Sequence, residues 1–60
     1  MNKKQQINTQ AEARSYAIDW QNWASDQNLS YGELAEWQDI FAKLAEKYDL
    51  SEEFNENGII

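Results

Sequence analysis

Leu29-Ser30-Tyr31-Gly32-Glu33-Leu34, at the middle of the chain, constrains the fold more than any other stretch. Ser30 is spaced to accept a hydrogen bond from the backbone amide of Glu33. The Glu33 carboxylate can reach back to the amide of Ser30, completing the reciprocal pair that starts a helix. Leu29 and Leu34 flank the pair at the positions where apolar side chains clasp a helix entry as a staple. Apolar periodicity stops before this motif and resumes after it, so the spacing predicts a helical hairpin hinged just before Ser30.

Both arms follow from the period of 3.6 residues. Thr9-Gln10-Ala11-Glu12 is a second capping-box pattern, which starts the first helix near Gln10. Ala13, Tyr16, Ala17, Trp20, Trp23 and Ala24 then share one arc, with Ile18 on the opposite side near Ala11. In the second arm Leu34, Trp37, Phe41, Leu44 and Tyr48 alternate steps of three and four, a seam of the coiled-coil type, widened by Ile40 and Ala45. Ser51-Glu52-Glu53-Phe54 has two acids where a third helix would begin, and Gly58 stands where a left-handed cap would end it. Leu50, Phe54, Ile59 and Ile60 are then expected to cover one end of the hairpin, with the last two lying over Ile18. The expected fold is all-α: an antiparallel helical hairpin of residues 10–27 and 31–48, with a short C-terminal helix over 52–57. Residues 1–8, polar apart from Ile7, read as a flexible tail before a single helical domain at 9–60. Asp19-Trp20-Gln21 and Glu36-Trp37-Gln38 also repeat faintly at an offset of 17, which sets Trp20 against Trp37.

Sixty residues bury only about 60% of the surface that the unfolded chain exposes, so a domain of this size needs an extra source of stability. With no cysteine, neither disulfides nor thiolate metal sites supply it. Without histidine, the commonest zinc ligand and the commonest general base are missing too. Three Trp, three Tyr and two Phe are the remaining resource, each burying about 150–250 Å². A monomer is expected, with a homodimer of hairpins packed as a four-helix bundle as the alternative. No apolar run reaches the roughly 20 residues of a membrane span, and Met1 to Gln6 lacks the apolar stretch of a signal peptide. A cytoplasmic protein without membrane contact is the expectation.

Candidate chemistry is sparse. Asp26, Asn28 and Ser30 place oxygen ligands at alternate positions, but a calcium loop starting at Asp26 needs Gly sixth and Glu twelfth, where Tyr31 and Trp37 stand. Gly32 and Gly58 are isolated, so no phosphate-cradling loop exists. The carboxylates fall mostly on solvent faces, without the unequal environments of an acid–base pair. Neither an enzyme nor a cofactor is expected.

Charge is unevenly divided. Residues 1–29 hold three cations and three anions, whereas residues 30–60 hold two against eight, so the whole net charge of −6 lies in the second half. Such a surface repels nucleic acid and anionic membranes.

Trp20-Gln21-x-Trp23, then Leu29 to Leu34 followed by Glu36-Trp37-Gln38, then Glu53-Phe54-x-Glu56-Asn57-Gly58-Ile59-Ile60, resemble a group of small proteins encoded by prophages and mobile elements of Gram-positive bacteria. The resemblance spans about residues 12–60 and implies no activity, cofactor or partner. In the resembling proteins Gly often stands at the place of Asp49, and basic residues around Glu52 and Asn55. Residues and resemblance together favour a non-catalytic protein–protein interaction module, binding a protein partner through apolar side chains at the seam edges or beyond them: Ile18, Trp23, Tyr31 and Ile40. The alternative is an acidic mimic of nucleic acid that inhibits a DNA-binding protein, with Glu33, Glu36, Asp39, Glu46, Asp49, Glu52, Glu53 and Glu56 as its charges.

Overall fold

The computed structural model describes residues 1–60 and contains three helices: α1 (Gln10–Ala24), α2 (Tyr31–Tyr48) and α3 (Ser51–Glu56). The capping box at the start of α2 is complete. The Glu33 amide donates to Ser30 Oγ at 3.2 Å, and the Ser30 amide donates to the Glu33 carboxylate at 3.3 Å. At α1 the box closes only on one side. Thr9 Oγ1 accepts from the Glu12 amide at 3.1 Å, but its hydroxyl also turns to the Glu12 carboxylate at 3.2 Å, leaving that carboxylate on the side chain of Thr9.

Ring contacts establish the direction of the arms. Tyr16 meets Phe41, and Trp20 meets Trp37, at centroid distances of 5.6 and 6.1 Å. Gln10, further back in α1, donates to the Tyr48 carbonyl, further forward in α2. As one index falls the other rises, so the arms are antiparallel. Ala13, Ala17 and Ala45 are fully buried at 0% exposure, the small side chains that let backbones approach around the aromatic cluster. Each aromatic pair adds about 0.5–1.5 kcal/mol beyond its buried area. One cost sits inside this cluster: the buried Trp20 indole N–H meets no acceptor in the protein, a loss of about 1–3 kcal/mol.

Two left-handed turns wrap the third helix onto the hairpin. Asp49 (φ 57°) ends α2, and the next amide, Leu50, donates back to Ala45 at 2.8 Å. Gly58 (φ 73°) ends α3 in the same way, with Ile59 donating to Phe54 at 2.8 Å and Gly58 to Asn55 at 3.2 Å. This is the Schellman stop, in which the residue after the left-handed position packs near the residue five before it. Here Leu50 with Ala45, and Ile59 with Phe54, all lie in the core. Phe54 meets Phe41 edge to face at 6.1 Å. Arg14 grips Glu53 with two hydrogen bonds, at 2.7 and 3.1 Å, and Gln21 donates to the Asn57 carbonyl at 2.8 Å. α3 therefore packs its backbone against α2 and is tied to α1 by these side-chain bonds.

Several boundaries and burials differ from the sequence reading. α1 stops at Ala24 rather than near residue 27, because the amides of Asp26 and Gln27 turn to the carbonyls three residues back, Trp23 and Ala24. α3 occupies Ser51–Glu56, one residue earlier than 52–57, since the Phe54 amide already bonds to the Leu50 carbonyl. Trp37, Phe41 and Ala45 form the buried line of α2, whereas Leu34 is 36% exposed. Ile59 enters the core instead of covering Ile18, which stays 50% exposed, and Ile60 is 37% exposed.

Residues 1–8 form no helix and lie against the hairpin. Tyr16 donates its hydroxyl to the Asn2 carbonyl, and Tyr48 to the Ile7 carbonyl at 2.8 Å. Ile7 packs on the core, and Lys3 pairs with Glu36. No helix is long and apolar enough to cross a membrane.

Candidate functional site: an apolar cleft with a lysine rim

The N-terminal segment covers its flank of the hairpin incompletely and leaves an open cleft of about 290 Å³. Ile7, Tyr16, Ile40 and Leu44 supply its apolar side chains. Ile40 and Leu44 are four apart on α2 and so lie one above the other on a single face. Tyr16 closes the α1 side, and its burial raises the phenol pKa above the ordinary tyrosine value. Lys3, Lys43 and Lys47 stand at the rim with Gln5, so three of the four lysines of an acidic protein meet here. No carboxylate lines the cleft.

Those three cations are held differently. Lys3 pairs with Glu36 and also lies 5.5 Å from the centre of the Trp37 ring. Lys43 pairs with Asp39, one turn earlier, at 3.0 Å. Lys47 has no carboxylate partner and lies 5.4 Å from the centre of the Tyr48 ring. Both ion pairs are exposed, and pairs of this kind contribute little to stability. Arg14 is occupied on the other flank, where its hydrogen bonds and charge hold the Glu53 carboxyl below its ordinary pKa and Glu53 raises that of Arg14.

Of the four residues singled out as binding candidates, only Ile40 lines the cleft. Trp23 is half-buried, with its ring 5.8 Å from Trp37. Tyr31 is 89% exposed in the first turn of α2, beside Leu34. At about 100° per residue, Tyr31 and Ile40 point to opposite faces of α2, and Ile18 and Trp23 stand about 140° apart on α1. The four therefore do not form one surface. Sequence reasoning missed the rim. Its only local signal was Lys43 and Lys47, four apart beside the apolar pair Ile40 and Leu44; Lys3 and Ile7 arrive from a segment with no periodicity.

The acidic stripe is interrupted. Glu36, Asp39 and Glu53 each face a cation, so three of the eight carboxylates of the second half are engaged within the molecule. No group of three or more acidic side chains converges as a metal site would require. No protein-family model, curated protein or solved structure matches this chain.

Proposed function

We propose that this chain is a small, cytoplasmic, monomeric interaction module of prophage or mobile-element origin that has no catalytic role and takes a side chain or two of a partner protein into the cleft around Ile40. One observation carries the reading: an apolar recess left open beside Ile40 on a small domain whose core side chains Trp37, Phe41, Leu50 and Phe54 are fully buried. At about 290 Å³ the cleft lies just below the roughly 300–1,000 Å³ of ordinary small-molecule pockets. That room suits one or two anchoring side chains, the arrangement in which a few buried residues dominate a protein interface. The origin rests on the resemblance of residues 12–60. Ile18, Trp23 and Tyr31 lie outside the cleft and have no part in this proposal. The nucleic-acid mimic is the weaker reading, because paired carboxylates and the intervening Lys43 break any phosphate-like row.

Site-specific photocrosslinking tests the proposal. A photoreactive amino acid replaces Gln5, at the rim, or Glu46, which is exposed and does not line the cleft. In the source cells a discrete protein adduct is expected from position 5 and not from 46, and Ile40→Lys should remove it. Equal labelling from both positions, or none from position 5, rejects the cleft as the binding surface.

A further inference from the structure

From the chemistry of its rim, we infer that the cleft recognises an acidic-apolar segment of its partner: one or two bulky aliphatic residues flanked by carboxylates. This rests on the reading of the cleft as a protein-binding site and adds the partner's chemistry. The whole molecule carries a net charge of −6 and by itself would favour a cationic partner. The cleft reverses that preference locally. Lys3, Lys43 and Lys47 surround the apolar floor, and no carboxylate is among the lining residues.

Distance decides between the two fields. Charges beyond about 8 Å are largely screened at physiological ionic strength, so a ligand seated on Ile40 and Leu44 feels the rim more than the distant acids of α3. Glu36 and Asp39 are already paired to Lys3 and Lys43, and Glu46, next to Lys47 in sequence, is turned about 100° away from it around the helix and does not line the cleft. Both pairs are exposed and weak, so a ligand carboxylate can share or replace either partner. Lys47 has no pair to give up. The aliphatic residue would enter between Ile7, Ile40 and Leu44, and its acidic neighbours would meet the ammonium groups at the edge. Lysine offers a flexible point charge rather than a planar fork, which suits carboxylates of varied spacing more than one rigid anion.

The test uses the full chain, labelled with nitrogen-15, and three acetylated and amidated peptides: SEELLES, SKKLLKS and SEESSES. With SEELLES at millimolar concentration, saturable shifts are expected in the amides of Ile7, Ile40, Leu44 and Lys47. SEESSES lacks the aliphatic anchor and SKKLLKS the carboxylates, and neither should produce them. Reversing both exposed rim charges with Lys43→Glu and Lys47→Glu should weaken SEELLES roughly tenfold and open the cleft to SKKLLKS. An amide spectrum that otherwise matches the parent would show that the variant remains folded. Binding of SKKLLKS to the parent cleft as tightly as SEELLES overturns the inference, as does the absence of any response to SEELLES. In either case an adduct at position 5 would leave the interaction-module reading standing, whereas its absence would remove both.

Discussion

The two flanks of the hairpin are covered by segments of similar length and opposite character. On one side Leu50, Phe54 and Ile59 are 2%, 1% and 2% exposed, and the Arg14–Glu53 pair with the Gln21–Asn57 bond closes the edge. On the other side a polar segment contributes a single aliphatic residue, Ile7, and two carbonyls that accept tyrosine hydroxyls. The first flank is closed, and the second holds the cleft. The difference follows from composition: three large apolar residues fill a groove between helices, whereas one leaves space that lysine stems line without filling.

The largest expected effect tests whether α3 is indispensable. Phe54→Ala should cost about 3–5 kcal/mol, enough to unfold much of a domain this small. Urea titration followed by circular dichroism measures it, and a loss no larger than that from removing residues 1–8 would mean that the two flanks contribute alike. Removing residues 1–8 takes away the acceptors of Tyr16 and Tyr48. Two hydrogen bonds predict a loss of about 1–3 kcal/mol with all three helices retained. No change in the urea midpoint would show that the segment contributes nothing to the fold.

A gain is expected at the turn that delivers α3. Asp49 holds a left-handed backbone at φ 57° and places a negative charge at the C-terminal end of α2. Asp49→Gly relieves both penalties, so stability should rise by about 0.5–1 kcal/mol. Thermal unfolding measures the change, and a fall in midpoint would show that the Asp49 side chain has a stabilising role of its own. The smallest effect concerns the edge of the closed flank. The Glu53 pKa is lowered in the fold, so its contribution is present above the ordinary carboxylate range and lost as pH falls through the lowered value. Glu53→Gln should be slightly less stable than the parent near neutral pH, and the gap should close as the pH falls through the lowered Glu53 value. A constant gap across that range would trace the difference to packing rather than to charge.

How much was legible in the residues varied along the chain. Ser30 and Glu33 act within four residues of each other, and the structure forms the reciprocal bonds that their spacing implies. The arc of α1 likewise supplies Ala13, Tyr16, Ala17 and Trp20 to the core. Leu34 had the same periodicity as Trp37 but lies near the hairpin turn, where its burial depends on what lies across from it. Asp49 was harder still, because a left-handed residue that is not glycine has no reliable local signature. The cleft was the least legible feature, since its walls come from three separated parts of the chain.

Helix positions, the capped second arm and the aromatic supply of the core follow from the sequence itself, because they depend on neighbours within a turn or two and on a period of 3.6 residues. Which apolar residues vanish into the core, which flank closes, and where three lysines converge are matters of tertiary structure alone. Each depends on residues far apart in the chain meeting at one place, as Tyr16 does with the Asn2 carbonyl and the Phe41 ring, and Arg14 with Glu53. Periodicity assigns a residue to a face, but burial requires a second surface to arrive there, and that surface is specified by the packed whole.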